Sequence, residues 1–170
     1  MEINDRLKRS FNIYAREESS NNNLMIEGRP IIFEKPTLIR GRDSRGEVRE
    51  FYEVIDKHSL DKCDLKDVPL RAEHDTKTIY ARTRNRSLKL GIKPDGLYMT
   101  AYLLDNEKSR TLYEEVRSGL VPQMSFAFPL DSVIVNDGTH KGLPMRRVMD
   151  IPRLLDVSVC AYGAYGDDAY

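Results

Sequence analysis

Along this chain, short strand-like stretches of apolar and polar residues are separated by turn residues, and in a strand successive side chains take opposite faces. Glu47 to Ile55, Asp67 to His74, and residues 78–83, 86–92 and 97–104 read this way. So do residues 130–135, 144–151 and Leu154 to Cys160. Met25 to Phe33 is a further apolar stretch, and Gly28 and Pro30 within it predict a bulge or an edge position. Pro94-Asp95-Gly96 predicts a hairpin turn between Ile92 and Leu97. Residues 36–46 and 136–142 have loop chemistry. The period lengthens to that of a helix over 106–118, where Leu112, Tyr113 and Val116 form an apolar stripe. Asn106 or Asp105 can cap that helix and Gly119 stops it. A second, short helix is expected from Asp56 to Leu60. These elements predict an α+β fold that is predominantly β, with a barrel-like core of short, mostly antiparallel strands and a few surrounding helices.

The pattern also divides the chain. Residues 1–24 carry many charges and the polar run Ser19-Ser20-Asn21-Asn22-Asn23, and read as a flexible leader, although Phe11 and Ile13 could add an edge strand. Residues 25–170 read as one compact domain, long enough to bury a sizeable core.

One strand stands apart from the others. In Gln123-Met124-Ser125-Phe126-Ala127-Phe128, alternation puts Met124, Phe126 and Phe128 on one face and Ser125 with Ala127 on the other. The second face is nearly free of bulk and offers a hydroxyl. A lone serine is a weak nucleophile that a histidine can activate, and Leu70-Arg71-Ala72-Glu73-His74-Asp75 supplies one. Asp156 lies in the middle of the last strand on a face with Ser158 and Cys160, where an acid is costly unless paired. Ser125, His74 and Asp156 can therefore be nucleophile, base and orienting acid. Ordinary readings stand beside this one. Ser125 can be a small packing residue, His74 can close a strand, and Asp156 can pair with Arg153. Asp75, Glu73 and Glu27 compete for the acid's place.

Composition narrows the classes. The 170 residues include 27 basic and 27 acidic side chains, a formal net charge of +0, so no overall field draws nucleic acid or an anionic membrane. Arg82, Arg84, Arg86 and Lys89 form a basic run, of which Arg82, Arg84 and Arg86 would share one face of an extended strand, and a solvated surface is its simpler explanation. No apolar run approaches a membrane span, and Met1 to Arg6 lacks the core of an export signal, so no membrane partner is expected. Cys63 and Cys160 with His58, His74 and His140 show no metal-ligand spacing, so neither a metal nor a disulfide is required.

Taken in order, several motifs resemble the prohead maturation proteases of tailed bacteriophages, a family similar in fold to the herpesvirus assembly proteases. The resemblance spans roughly residues 25–165. It rests on Ile26-Glu27-Gly28 with Ile32-Phe33, on Glu50 to Ile55, and on Leu70 to Asp75 as the histidine motif. It continues through Asp95-Gly96-Leu97-Tyr98-Met99, through Ser118-Gly119-Leu120 with Met124 to Phe128 as the serine motif, and through Leu155 to Val159. It implies His74 as general base, Ser125 as nucleophile and Asp156 as third member, with no cofactor. Two departures are visible. Asp156 stands where many relatives carry Glu, and Ala161-Tyr162-Gly163-Ala164-Tyr165 lacks the usual proline.

What the resemblance implies is a serine endopeptidase that cleaves scaffold segments of the phage major capsid protein precursor, and itself, during prohead maturation. It would work in the host cytoplasm, inside the immature prohead. A homodimer is an expectation by analogy, with helix 106–118 as one candidate interface, and the loop after Cys160, eased by Gly163, is a candidate oxyanion donor. The alternative is a non-catalytic capsid-assembly or scaffold protein with the same fold. A nucleic-acid-binding barrel is a third reading, opposed by the neutral charge.

Overall fold

The period-two segments fold into three four-stranded sheets. The computed structural model describes residues 13–17, 24–42 and 47–161. Among the described residues lie twelve strands and one helix. The first sheet contains β1 (Ile13–Glu17), β2 (Leu24–Ile32), β7 (Leu88–Lys93) and β8 (Gly96–Leu103), in the order β1-β2-β8-β7 and antiparallel throughout. The second contains β3 (Thr37–Arg42), β4 (Val48–Ile55), β10 (Val133–His140) and β11 (Leu143–Asp150), in the order β10-β11-β4-β3. The third contains β5 (Pro69–Ala72), β6 (Ala81–Arg82), β9 (Gln123–Ala127) and β12 (Asp156–Cys160), in the order β6-β5-β12-β9. In the second and third sheets the middle pair is parallel, β11 on β4 and β12 on β5, and its flanks are antiparallel.

The α+β, predominantly β class holds, and two finer expectations are corrected. The three sheets do not close into a barrel among the described residues. The surrounding helices reduce to α1 (Glu107–Arg117), because the Asp56 segment makes turns instead. There the Asp56 carboxylate accepts from the backbone N–H of His58 at 2.8 Å, and Ser59 N–H bonds back to the Asp56 carbonyl. The short side chain rewards a turn without a helix following it. Helix α1 itself is well specified. The Asn106 side chain accepts from Ser109 N–H at 3.0 Å, and Gly119 stands at φ 80° just past the end. Gly119 N–H bonds the Val116 carbonyl and Leu120 N–H the Glu115 carbonyl, a Schellman closure.

Other expectations move by a few residues. The interruption at Gly28 and Pro30 is a bulge between Gly28 and Ile31, inside an interior strand. The hairpin at Pro94-Asp95-Gly96 forms, and Gly96 is required there because a Cβ would sit 2.1 Å from the Ile31 carbonyl oxygen. The expected loop at 136–142 is mostly strand, with a register shift between Asn136 and Thr139 and the turn only at Lys141-Gly142. The basic run does not share a strand face. Strand β6 ends at Arg82, a turn bonds Arg86 N–H to the Thr83 carbonyl, and Arg82 and Arg84 both face Asp67.

Ile13–Glu17 is an edge strand on β2, as Ile13 allowed. The rest of the expected leader, residues 1–12 and 18–23, and Gly163 in the last segment lie outside the described residues.

The core fills the space between the first and third sheets. Ile26 and Ile31 of β2, Leu97 of β8 and Leu112 of α1 meet Phe126 of β9 and Val157 of β12, all nearly or wholly buried. Full burial of such side chains stabilises by roughly 1.5–3 kcal/mol each. It also fixes the face on which the third sheet can present anything else.

Candidate active site

Strand register decides which residues of the third sheet share a face. Ser158 of β12 pairs with Ser125 of β9 on one side and with Arg71 of β5 on the other. Directly paired residues point to the same face. Arg71, Ser158 and Ser125 therefore lie on one face, joined by Asp156 through period two. Leu70, Val157, Val159, Met124 and Phe126 take the opposite, core face. The sequence reading of Ser125 and Asp156 is thus correct in face, with Asp156 at the first position of β12.

His74 reaches the site differently from the way alternation suggests. Continued extension of β5 would put it with Leu70 and Ala72, on the face away from Ser125. The strand instead ends at Ala72, and Glu73 and His74 adopt φ values of 50° and 56°. Two consecutive left-handed residues with a Cβ are uncommon and cost energy. They are held on several sides. Glu73 N–H bonds the Val159 carbonyl at 2.9 Å, Asp75 N–H bonds the Ala72 carbonyl at 2.9 Å, and the Glu73 carboxylate accepts from Ala161 N–H. Arg71 donates to the Asp75 carbonyl at 2.9 Å. The turn carries the imidazole across to the serine face.

There it lies between the other two. His74 Nε2 is 2.8 Å from Ser125 Oγ, and His74 Nδ1 is 2.7 Å from Asp156 Oδ1. Ser125 is wholly buried, and His74 and Asp156 nearly so. With Asp156 ionised, its Oδ1 accepts from Nδ1–H, which leaves Nε2 to accept from the Ser125 hydroxyl. The second oxygen of Asp156 is 3.9 Å from Arg71 Nε, a cation that offsets part of the cost of burying the acid. Serine, histidine and aspartate come from β9, the β5 turn and β12, and the pairing of β12 with both β5 and β9 brings them together.

The rival carboxylates have other partners. Asp75 Oδ1 accepts from Lys77 N–H at 3.0 Å, Glu73 is committed to Ala161, and Glu27 lies on β2 in the first sheet. Arg153, the surface partner considered for Asp156, faces Asp131 at 3.7 Å. The shorter acid still reaches the imidazole. Among the described residues, no group of three or more His, Cys, Asp and Glu side chains is placed to hold a metal ion. His58 pairs with Asp61, His140 stacks edge-on against Tyr52, and Cys63 and Cys160 are not joined in a disulfide. No helix among the described residues is long and apolar enough to cross a membrane.

Sequence reasoning missed two contributors, Ser158 and Arg71. Their places beside the site were hidden because nothing in the chain announces that β12 lies between β9 and β5, with Ser158 opposite Ser125 on one side and Arg71 on the other.

Comparison with known proteins adds one finding. The family described as Caudovirus prohead serine protease matches residues 10–169 of the 170. No curated protein and no solved structure matches the chain significantly.

Proposed function

This chain belongs to the Caudovirus prohead serine protease family, and from that premise we propose that Ser125, His74 and Asp156 are the nucleophile, general base and orienting acid of a serine endopeptidase. Membership carries a protease role in capsid maturation. The single observation that supports the residue assignment is the unbroken Ser125–His74–Asp156 contact, at 2.8 and 2.7 Å, with the imidazole between hydroxyl and carboxylate.

Each residue then has a defined task. His74 Nε2 takes the Ser125 proton as Oγ attacks a peptide carbonyl, and gives it to the departing amine. Water, deprotonated by the same nitrogen, releases the acyl group and restores Ser125. Asp156 holds the tautomer in which Nε2 is free to accept, and stabilises the imidazolium that forms. Backbone donors for the oxyanion would each be worth about 3–4 kcal/mol in the transition state. Gly163 and its neighbours are the proposed source.

The substrate in this reading is the scaffold segment of the capsid precursor, together with the protease itself, inside the immature prohead in the host cytoplasm. Confinement there raises the effective concentration of cleavage sites. Kinship in fold with herpesvirus assembly proteases, and a homodimer like theirs, belong to the same reading and stem from the sequence resemblance.

One observation favours the alternative, a non-catalytic assembly protein. Ser125 has no solvent-exposed surface, so a peptide bond gains access only when the groups over it move. Incubation of the capsid precursor with the wild-type chain and with Ser125→Ala separates the two readings. Cleavage by the wild type and none by the variant is expected. Equal outcomes for both proteins would reject the assignment.

A further inference from the structure

Ser158 is a buried polar group that the proposed reaction does not use. It lies at the centre of the third sheet, paired with Ser125 on β9 and Arg71 on β5, and has no exposed surface. A hydroxyl at that point has one proton and two lone pairs to place. The proton goes to Asp156, with Oγ 3.2 Å from Oδ1. A lone pair accepts the backbone N–H of His74, also at 3.2 Å. One oxygen thus holds the acid's side chain and the base's main chain together.

Both held groups need it. His74 stands at φ 56°, a conformation that persists only where its surroundings over-determine it. Asp156 Oδ1 is the same oxygen that receives His74 Nδ1. Its direction sets where the imidazole points and hence how Nε2 meets Ser125. The neighbouring Arg71 constrains the other carboxylate oxygen and the carbonyl of Asp75, at the far side of the turn. Ser158 bonds both the His74 backbone and the Asp156 carboxylate.

We infer that Ser158 is a positioning residue, which locks the left-handed His74 backbone to the Asp156 carboxylate and so aims the imidazole at Ser125. The inference rests on the proposed roles of Ser125, His74 and Asp156. Loss of the hydroxyl lets the imidazole tilt in place while the substrate's contacts are left as they were. The signature is therefore a fall in kcat with KM unchanged. Small misplacements of a catalytic group cost up to about a hundredfold.

The test uses the full chain and a peptide spanning a cleavage site mapped on the capsid precursor. Ser158→Ala should lower kcat about ten- to hundredfold with KM within about twofold. Ser158→Thr, which keeps the hydroxyl, should recover most of the loss. In an Asp156→Ala background the Ser158→Ala change should cost clearly less than it does in the wild type, because only the contact to the His74 backbone is left to lose. A Ser158→Ala enzyme with wild-type kcat, or an undiminished cost in the Asp156→Ala background, overturns the inference. If Ser158→Ala does not fold, Ser158→Cys, similar in size and a poor hydrogen-bonder, takes its place with the same expectations.

A second readout needs no turnover. The His74 Nδ1 proton should give a downfield NMR resonance in wild type and in Ser125→Ala, and lose or shift it in the Ser158 variant. An unchanged resonance also overturns the inference. The outcomes are distinguishable from failure of the parent reading. If Ser125→Ala cleaves as well as wild type, the catalytic assignment fails. If Ser125→Ala is dead and Ser158→Ala indifferent, only the role of Ser158 fails.

Discussion

The second and third sheets are built alike and put buried charge to different ends. Each has a parallel middle pair with antiparallel flanks, and each buries an acid there beside an arginine from the neighbouring strand. In the second sheet, Glu53 and Arg146 are direct register partners. Their side chains meet at 2.7 and 2.9 Å, and the Arg146 guanidinium covers the Phe51 ring at 4.3 Å. Regular alternation suffices to make this pair, and burial depresses the affinity of the guanidinium for its proton. In the third sheet, Arg71 keeps 3.9 Å from Asp156, and the acid's closer contact goes to a histidine carried in by a left-handed turn. A pair formed by register stabilises the fold. A contact that needs a strained turn leaves a base whose other nitrogen faces a serine. On the proposed reading, the contrast separates a structural charge pair from a chemical one.

The largest effects should come from breaking the chemical site. His74→Ala and Ser125→Ala should each lower kcat by about 10³-fold or more, and Ser125→Ala should leave the thermal unfolding curve near wild type. Asp156→Asn keeps the shape and removes the charge that fixes the tautomer. It should cost about 10³–10⁴-fold in kcat, measured on the same peptide. Acidification should also silence the enzyme, because an imidazole that has taken a proton on Nε2 cannot accept one from Ser125. A cleavage rate constant from neutral to acidic pH would contradict His74 as base.

The structural pair should respond in the opposite sense. Glu53→Ala leaves Arg146 partly buried without its carboxylate, and should destabilise the fold by about 3 kcal/mol in urea unfolding. Activity per folded molecule should remain. Loss of activity without loss of stability would erase the distinction between the two sheets.

The smallest effect concerns Cys63, outside both pairs. Burial first, then the nearby charge of Asp64, pushes its thiol from an ordinary 9.0 to about 11. A raised folded-state value means that the folded chain holds this proton more tightly than the unfolded one. The associated stability is intact below pH 9.0 and is lost as pH rises towards 11. At neutral pH, alkylation of Cys63 should be slower than that of an unhindered thiol, as read by mass spectrometry.

Much of this architecture was legible in the chain, and the limits have physical causes. Helix α1 was readable because its cap, stripe and glycine stop are local. The face of Ser125 was readable because period two survives in β9. The crossing of His74 was not, since the left-handed pair is Glu73-His74 and contains none of the Gly or Asn that usually announces such a turn. The expected barrel-like core does not close among the described residues, because alternation specifies faces and leaves open which strands are neighbours. The β5–β12 pairing joins residues 87 positions apart, as in Leu70 to Val157, and local pattern carries no record of it. Asp156 was readable as an acid needing a partner, and its choice of His74 over Arg153 followed only from that pairing.

The central claim is that Ser125 is a nucleophile made reactive by His74. Treatment with a fluorophosphonate, followed by mass spectrometric mapping, tests it most directly. The account predicts a single adduct on Ser125 Oγ, at most weakly formed in His74→Ala and absent in Ser125→Ala. An unlabelled Ser125 in a chain that cleaves the capsid precursor, or equal labelling with and without His74, would contradict it.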